Sequence, residues 1–225
     1  MPKVSVILTV YNKPQWLRQC IDSVLAQTFD DWELIVLEDN SPNQEVKNIL
    51  EQYSSNEKIK IYYSDVTEED RYKTARYATL INHGVRNMSS GEYISYLTDD
   101  DFYYPNRLEK MAKMLDITGV PIVYGNQQVV DADGNPSGIR ETQGILDSAW
   151  NIVDHNSVMH RRDVFFEAEG WPDSPDIWGG ADAHFWERVT SLGHKFYPIE
   201  GAPLDAKRYH TGSVQWLVHN GQFFP

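Results

Sequence analysis

A chain of 225 residues with 41% hydrophobic and 24% charged side chains can bury roughly 70–75% of its unfolded surface, which excludes a disordered tail or a cross-linked mini-domain. The 20 basic against 33 acidic residues give a formal charge of −13, which excludes a nonspecific nucleic-acid binder, and no apolar run approaches the ~20 residues of a membrane span. The single cysteine, Cys20, rules out an internal disulfide and a thiolate zinc site.

The start Met1-Pro2-Lys3-Val4 runs directly into a strand instead of a signal peptide, so a cytoplasmic protein is expected. Val4-Ser5-Val6-Ile7-Leu8-Thr9-Val10 predicts that strand, and Asn12-Lys13-Pro14 turns it into a helix carrying Leu17, Cys20, Ile21, Val24 and Leu25 at helical spacing. Trp32-Glu33-Leu34-Ile35-Val36-Leu37 is a second strand ending in Glu38-Asp39, after which Ser41-Pro42 has the form of an N-cap followed by proline. Ile59-Lys60-Ile61-Tyr62-Tyr63 is a third strand, and a polar loop through Asp70-Arg71 leads to a helix from Thr74 to Val85. Gly91 precedes a fourth strand, Tyr93-Ile94-Ser95-Tyr96-Leu97-Thr98, which runs into Asp99-Asp100-Asp101. Such strand–helix alternation argues an α/β fold, a parallel sheet flanked by helices, with ligands expected beyond the carboxyl ends of the strands.

Further on, Pro105-Asn106 opens a helix through Leu115, Ile122-Val123-Tyr124 is a strand, and Asp133-Gly134 marks a hairpin turn. Asn156-Ser157-Val158-Met159-His160 predicts a strand, and Asp182 to Leu192 a helix that Gly193 ends. Trp150, Trp171, Trp178, Trp186 and Trp216 all fall in this second half, with no linker before it and no internal repeat.

Three consecutive carboxylates at a strand end repel one another unless a cation lies among them, and oxygen ligands suit Mg²⁺ or Mn²⁺. The other reading is a solvated turn in which Asp101 or Asn106 caps the next helix. No glycine-rich phosphate loop follows the first strand, which argues against a dinucleotide or P-loop enzyme. Tyr11 at that turn is instead an aromatic beside strand-end acids, able to stack a base or simply to plug the sheet end. Asp131-Ala132-Asp133-Gly134-Asn135-Pro136 begins like a calcium loop, but Pro136 stands where that loop needs glycine. His155 and His160 would face opposite sides of a strand, unsuited to a shared metal, though His155 could line an acceptor site.

The first strand with Tyr11-Asn12, Ser23-Val24-Leu25-Ala26-Gln27-Thr28, Glu33-Leu34-Ile35-Val36-Leu37-Glu38-Asp39-Asn40-Ser41 and Gly91-Glu92-Tyr93-Ile94 together resemble family 2 glycosyltransferases of the GT-A fold. Lys73 to Asn82, Thr98-Asp99-Asp100 and Asp154 to Arg161 resemble most the spore-coat polysaccharide glycosyltransferase type. The resemblance implies a single compact GT-A domain with a mainly parallel central sheet, residues 1–101 binding the nucleotide sugar and 102–225 the acceptor. It implies that Thr9, Tyr11 and Asp39 surround the base, that Arg71 reaches it from its loop, that Asp99 meets the ribose and that Asp100 binds Mn²⁺ or Mg²⁺. The family pattern is Asp-x-Asp-Asp, and Thr98 departs from it. Arg71 alone also reads as a solvated loop charge.

Gly179-Gly180-Ala181-Asp182 offers a carboxylate at a helix start, readable as an N-cap; the resemblance implies the base that deprotonates the acceptor hydroxyl. His210 resembles a C-terminal segment that adds a metal ligand in some GT-A enzymes, and equally reads as a surface or core histidine. The expected activity is inverting transfer of a sugar from a nucleoside diphosphate, UDP or dTDP favoured, to a glycan or related hydroxyl in polysaccharide or cell-surface glycan synthesis. The alternatives are a catalytically idle sugar-nucleotide or glycan-binding module and a sugar-phosphate nucleotidyltransferase. The chain ends soon after Ser213, so a partner or a second copy, as in a homodimer, is expected to complete the acceptor side.

Overall fold

Every residue of strand β1 (Val4–Val10) is buried, because its two faces meet different helical layers. In the computed structural model, which describes residues 1–150 and 152–213, the strands after β1 are β2 (Trp32–Glu38), β3 (Ile59–Tyr63), β4 (Tyr93–Thr98), β5 (Phe102–Tyr103), β6 (Ile122–Gly125), β7 (Gln127–Val130), β8 (Pro136–Arg140), β9 (Val158–Arg161), β10 (Phe196–Ile199) and β11 (Asp205–Arg208). The helices are α1 (Pro14–Leu25), α2 (Gln44–Glu51), α3 (Arg76–His83), α4 (Arg107–Thr118), α5 (Arg162–Glu167) and α6 (Ala181–Ser191). Trp216 lies outside the described residues.

Seven strands form the main sheet in the order β10-β6-β9-β4-β1-β2-β3, and β5-β11-β7-β8 form a second. Val4, Val6, Leu8 and Val10 pack on one face with Leu17, Cys20, Ile21 and Val24 of α1, and with side chains of α2 and α4. Ile7, Ile35, Leu37, Ile94 and Tyr96 pack on the other with α3, α5 and α6. The strand order reverses about β1, which pairs in parallel with β2 on one side and β4 on the other. That reversal opens a crevice beyond the carboxyl ends of β1, β2 and β4.

The main sheet is mixed, because β9 runs antiparallel to both β4 and β6. Asn156 and Ser157, expected in that strand, belong instead to a 3-10 turn, His155–Ser157, with Asp154 accepting from Asn156 N–H at 3.0 Å. The helix expected at Ser41 begins later, where Asn43 caps it by accepting from Glu45 N–H at 2.9 Å. Ser41 Oγ is taken by Asn12 N–H at 3.0 Å, so it ties the β1 and β2 turns together instead of capping. Both turns are tight, with Asn12 at φ 56° and Asn40 at φ 53°, a region asparagine enters more readily than most residues. Asp133-Gly134 does form the hairpin between β7 and β8, with Gly134 at φ 91°. Among the described residues no helix is long and apolar enough to cross a membrane.

Candidate active site

The turn after β1 and the end of β2 build one wall of the crevice. Asp39, 3% exposed, receives Arg71 Nη1 on Oδ2 at 2.6 Å and Arg76 Nη2 on Oδ1 at 2.6 Å. Arg71 Nη2 also donates to the Asp39 carbonyl at 2.7 Å, and its guanidinium lies 4.1 Å from the centre of the Tyr11 ring. Arg71 is therefore a buried, stacked side chain and not a solvated loop charge, while Tyr11 keeps 38% of its surface exposed. Thr9 is buried one residue before the strand ends. Tyr11, Asp39 and Arg71 thus form one cluster, joined by Arg76, which sequence reasoning did not single out.

The acids after β4 are divided among different partners. Asp99 accepts from Tyr11 N–H at 2.8 Å and from Lys13 Nζ at 3.0 Å. Asp100 Oδ2 lies 3.0 Å from the same Lys13 Nζ and 2.9 Å from His210 Nε2. Asp101 accepts from Thr98 Oγ1 at 2.8 Å, from Asn156 Nδ2 and from Arg208 N–H at 2.7 Å, with Lys207 Nζ at 3.0 Å. The cations that three adjacent carboxylates require are thus supplied by the chain itself, through Lys13 and Lys207, which corrects the sequence-based inference that an outside cation is needed to hold them together. Asp101 is no helix cap either, and Asn106 precedes α4 without a side-chain capping bond.

Burial pushes Asp99 up to about 6 against the pull of Lys13. At Asp100 burial is outweighed by Lys13, the His210 hydrogen bond and Lys207, which hold its carboxyl well below the usual range. Gly212 N–H donates to His210 Nδ1 at 3.1 Å, so the ring proton sits on Nε2 and points at Asp100. The Trp16 ring packs against that imidazole at 4.2 Å.

Asp100 fits a hard divalent cation: it is a buried carboxylate at the mouth of the crevice with an imidazole beside it. His210 fits only if its ring gives up the Gly212 amide or its own Nε2 proton. Among the described residues no group of three or more His, Cys, Asp or Glu side chains is arranged to hold a metal, so ligand oxygens would have to complete the shell.

Asp182 stands in the first turn of α6, whose N-cap position is Gly180, so it is not the cap that its neighbourhood suggests. Its Oδ1 accepts from Ala183 N–H at 2.9 Å, and its Oδ2 lies 3.4 Å from His155 Nδ1. Tyr77 OH accepts from Ala181 N–H at 2.8 Å, and burial together with the Asp182 charge pushes that phenol upward. Asp182 retains 24% side-chain exposure. His155 lies in the 3-10 turn and not in a strand with His160, so the alternation expected of the pair does not apply; both rings pack near Tyr96, whose OH lies 2.8 Å from the buried His160 Nε2.

Residues 5–167 match the family described as Glycosyl transferase family 2. Protein CgeD of Bacillus subtilis (strain 168) is 41% identical over 209 residues, 88% of this chain and 48% of that protein. The chain spans half or less of the length of several curated relatives. Among solved structures, S. aureus TarS 1-349 in complex with UDP-GlcNAc has a TM-score of 0.75 at 16% identity, covering 94% of this chain and 60% of that one. The mannosyltransferase PcManGT from Pyrobaculum calidifontis, in complex with GDP-Man and Mn²⁺, has a TM-score of 0.70 at 15% identity, covering 98% of this chain and 61% of that one. These likenesses establish the fold as GT-A.

Proposed function

The chain belongs to glycosyl transferase family 2, and we propose that it transfers a sugar, with inversion, from a nucleoside diphosphate sugar to a hydroxyl of a glycan or related acceptor in the cytoplasm, in polysaccharide or cell-surface glycan synthesis. In this reading residues 1–101 hold the donor and 102–225 the acceptor. The observation that carries it is the meeting, at the ends of β1, β2 and β4, of an arginine-backed aromatic with two differently partnered acids.

Tyr11, backed by Arg71, offers a face to a base, and Asp39 and Arg71 offer an acceptor and a donor to a pyrimidine edge, which favours UDP or dTDP. Thr9 lines the same wall. Asp99 takes the ribose hydroxyls. Asp100, with His210 beside it, would hold Mn²⁺ or Mg²⁺, which when bound supplies positive charge against the diphosphate leaving group. Asp182 receives the acceptor proton, and a side chain left 24% exposed supports that reading. Lys13 adds a second positive charge on the diphosphate side.

The test is release of nucleoside diphosphate from a panel of nucleotide sugars with Mn²⁺, preceded by a thermal-shift screen. Release from a UDP- or dTDP-sugar, stimulated by an acceptor glycan, is expected. Absence of both stabilisation and release across the panel would reduce the chain to an idle module. Asp100→Ala is expected to weaken Mn²⁺-supported nucleotide binding, and identical calorimetric affinity with and without Mn²⁺ in the parent protein would remove the metal from the reading.

A further inference from the structure

Lys13 sits between β1 and α1, after the left-handed Asn12 and before Pro14, so its backbone is held and only its side chain can swing. Its Nζ is 3.0 Å from Asp99 Oδ1 and 3.0 Å from Asp100 Oδ2. Asp99 Oδ2 is already taken by Tyr11 N–H, and Asp100 Oδ2 by His210 Nε2. Asp100, which would receive a divalent cation, is therefore neutralised and hydrogen-bonded from within, as is its neighbour Asp99. A cation arriving alone has to expel a held ammonium and then remain beside it. A diphosphate changes that balance, because its oxygens give the ammonium another partner within reach of a flexible four-carbon stem.

We propose that Lys13 is an internal counter-ion that, held between Asp99 and Asp100, keeps Asp100 closed to divalent cations until a donor diphosphate draws its ammonium away. Nucleotide and metal then bind with positive coupling, each favouring the state in which Lys13 has turned to the phosphate. The inference rests on the reading of Asp100 as a metal ligand.

Free Mn²⁺ is measured by electron paramagnetic resonance in titrations of the full chain, as parent, Lys13→Met and Lys13→Arg, with and without UDP. The parent is expected to bind Mn²⁺ more tightly with UDP by a factor of roughly 5–150, the usual range of coupling between sites. Lys13→Met is expected to bind Mn²⁺ alone roughly tenfold or more tighter than the parent and to lose most of that coupling. Lys13→Arg keeps the charge and stays parent-like. Equal affinity of parent and Lys13→Met for Mn²⁺ alone, where UDP still recruits Mn²⁺ to the parent, overturns the inference and leaves Asp100 as a ligand. No Mn²⁺ binding to any variant even with UDP overturns both. Thermal unfolding guards against a folding defect: Lys13→Met, left with uncompensated acids, is expected to regain stability with Mn²⁺ alone, and failure to do so also counts against the inference.

Discussion

His155 Nδ1 lies 3.4 Å from Asp182 Oδ2, a contact that ties the start of α6 to the 3-10 turn leading into β9. His155 is itself wedged among rings, with Tyr77 at 6.3 Å and Trp171 at 5.5 Å between centroids. The carboxylate is thereby aimed by a side chain that cannot move far. Asp182→Asn keeps the side chain's size, with its oxygen able to accept from Ala183 N–H, and removes the charge and with it the capacity to take a proton. Transfer is expected to fall by about 10²–10⁴, while nucleotide affinity, measured calorimetrically, stays at the parent value. Parent-like transfer would sink the assignment.

Arg76 reaches Asp39 from α3 and also donates to Ser64 Oγ at 3.0 Å. It fixes the Asp39 carboxylate, which the proposed function turns toward the base, without itself standing in the Tyr11–Arg71 stack. Arg76→Met removes two charge-assisted hydrogen bonds to Asp39 Oδ1, at 3.0 and 2.6 Å, and is expected to weaken UDP binding at least roughly 10–100-fold, the value of one such bond at 1.5–3 kcal/mol. Mn²⁺-dependent coupling should persist, since Asp100 is untouched. An unchanged UDP affinity would show that Arg71 alone positions Asp39.

The strands of the first hundred residues were legible because strands buried on both faces write continuous apolar runs, and the residues that follow β1, β2 and β4, Tyr11, Asp39 and Asp99, come together at their carboxyl ends. Lys13, Arg76 and Lys207 were not legible, because a charge in a polar stretch reads as solvated unless its distant partner is known. Their partners come from other elements: Asp99 and Asp100 for Lys13, Asp39 for Arg76, Asp101 and Asp154 for Lys207. Strand β11 went unrecognised for the same reason. Asp205-Ala206-Lys207-Arg208 carries three charges: Asp205 and Arg208 are buried and Lys207 is half-buried, held by pairing across the molecule instead of by being apolar.

His160 is fully buried, with Nδ1–H donating to Arg161 O at 2.7 Å and Nε2 accepting from Tyr96 OH at 2.8 Å. Trp171 Nε1–H donates to that same hydroxyl at 3.2 Å, so the chain of bonds is complete with a neutral ring. Burial lowers His160 from 6.5 to about 4. In the unfolded chain the imidazole takes its proton as pH falls through 6.5, whereas the folded one refuses it until about 4. The stability this provides is whole above 6.5 and is lost as pH falls through that window, on the order of 3 kcal/mol. His160→Gln, which keeps a donor and an acceptor, is expected to show a shallower loss in urea unfolding between about pH 7 and pH 4.5. Parallel losses in the two proteins would refute the account.

Asp101 and Asp100 are neighbours with opposite expectations. Asp101 is 1% exposed, and its oxygens meet donors only: Thr98 Oγ1, Asn156 Nδ2, Lys207 Nζ and Arg208 N–H. An asparagine there would turn an N–H toward a donor and leave Lys207, held between two acids, with Asp154 at 3.4 Å. Asp101→Asn is therefore expected to cost about 3–5 kcal/mol, as for breaking a buried ion pair, with nucleotide binding failing only because the fold does. Asp100→Asn leaves Asp99 paired with Lys13, and because Lys13 and His210 both meet the same Asp100 oxygen, an amide oxygen can take its place, so its cost in stability should be smaller. Its cost should fall instead on Mn²⁺-supported UDP binding. Urea unfolding and calorimetry on both variants separate the two acids, and an Asp101→Asn protein as stable as the parent would dissolve the distinction between them.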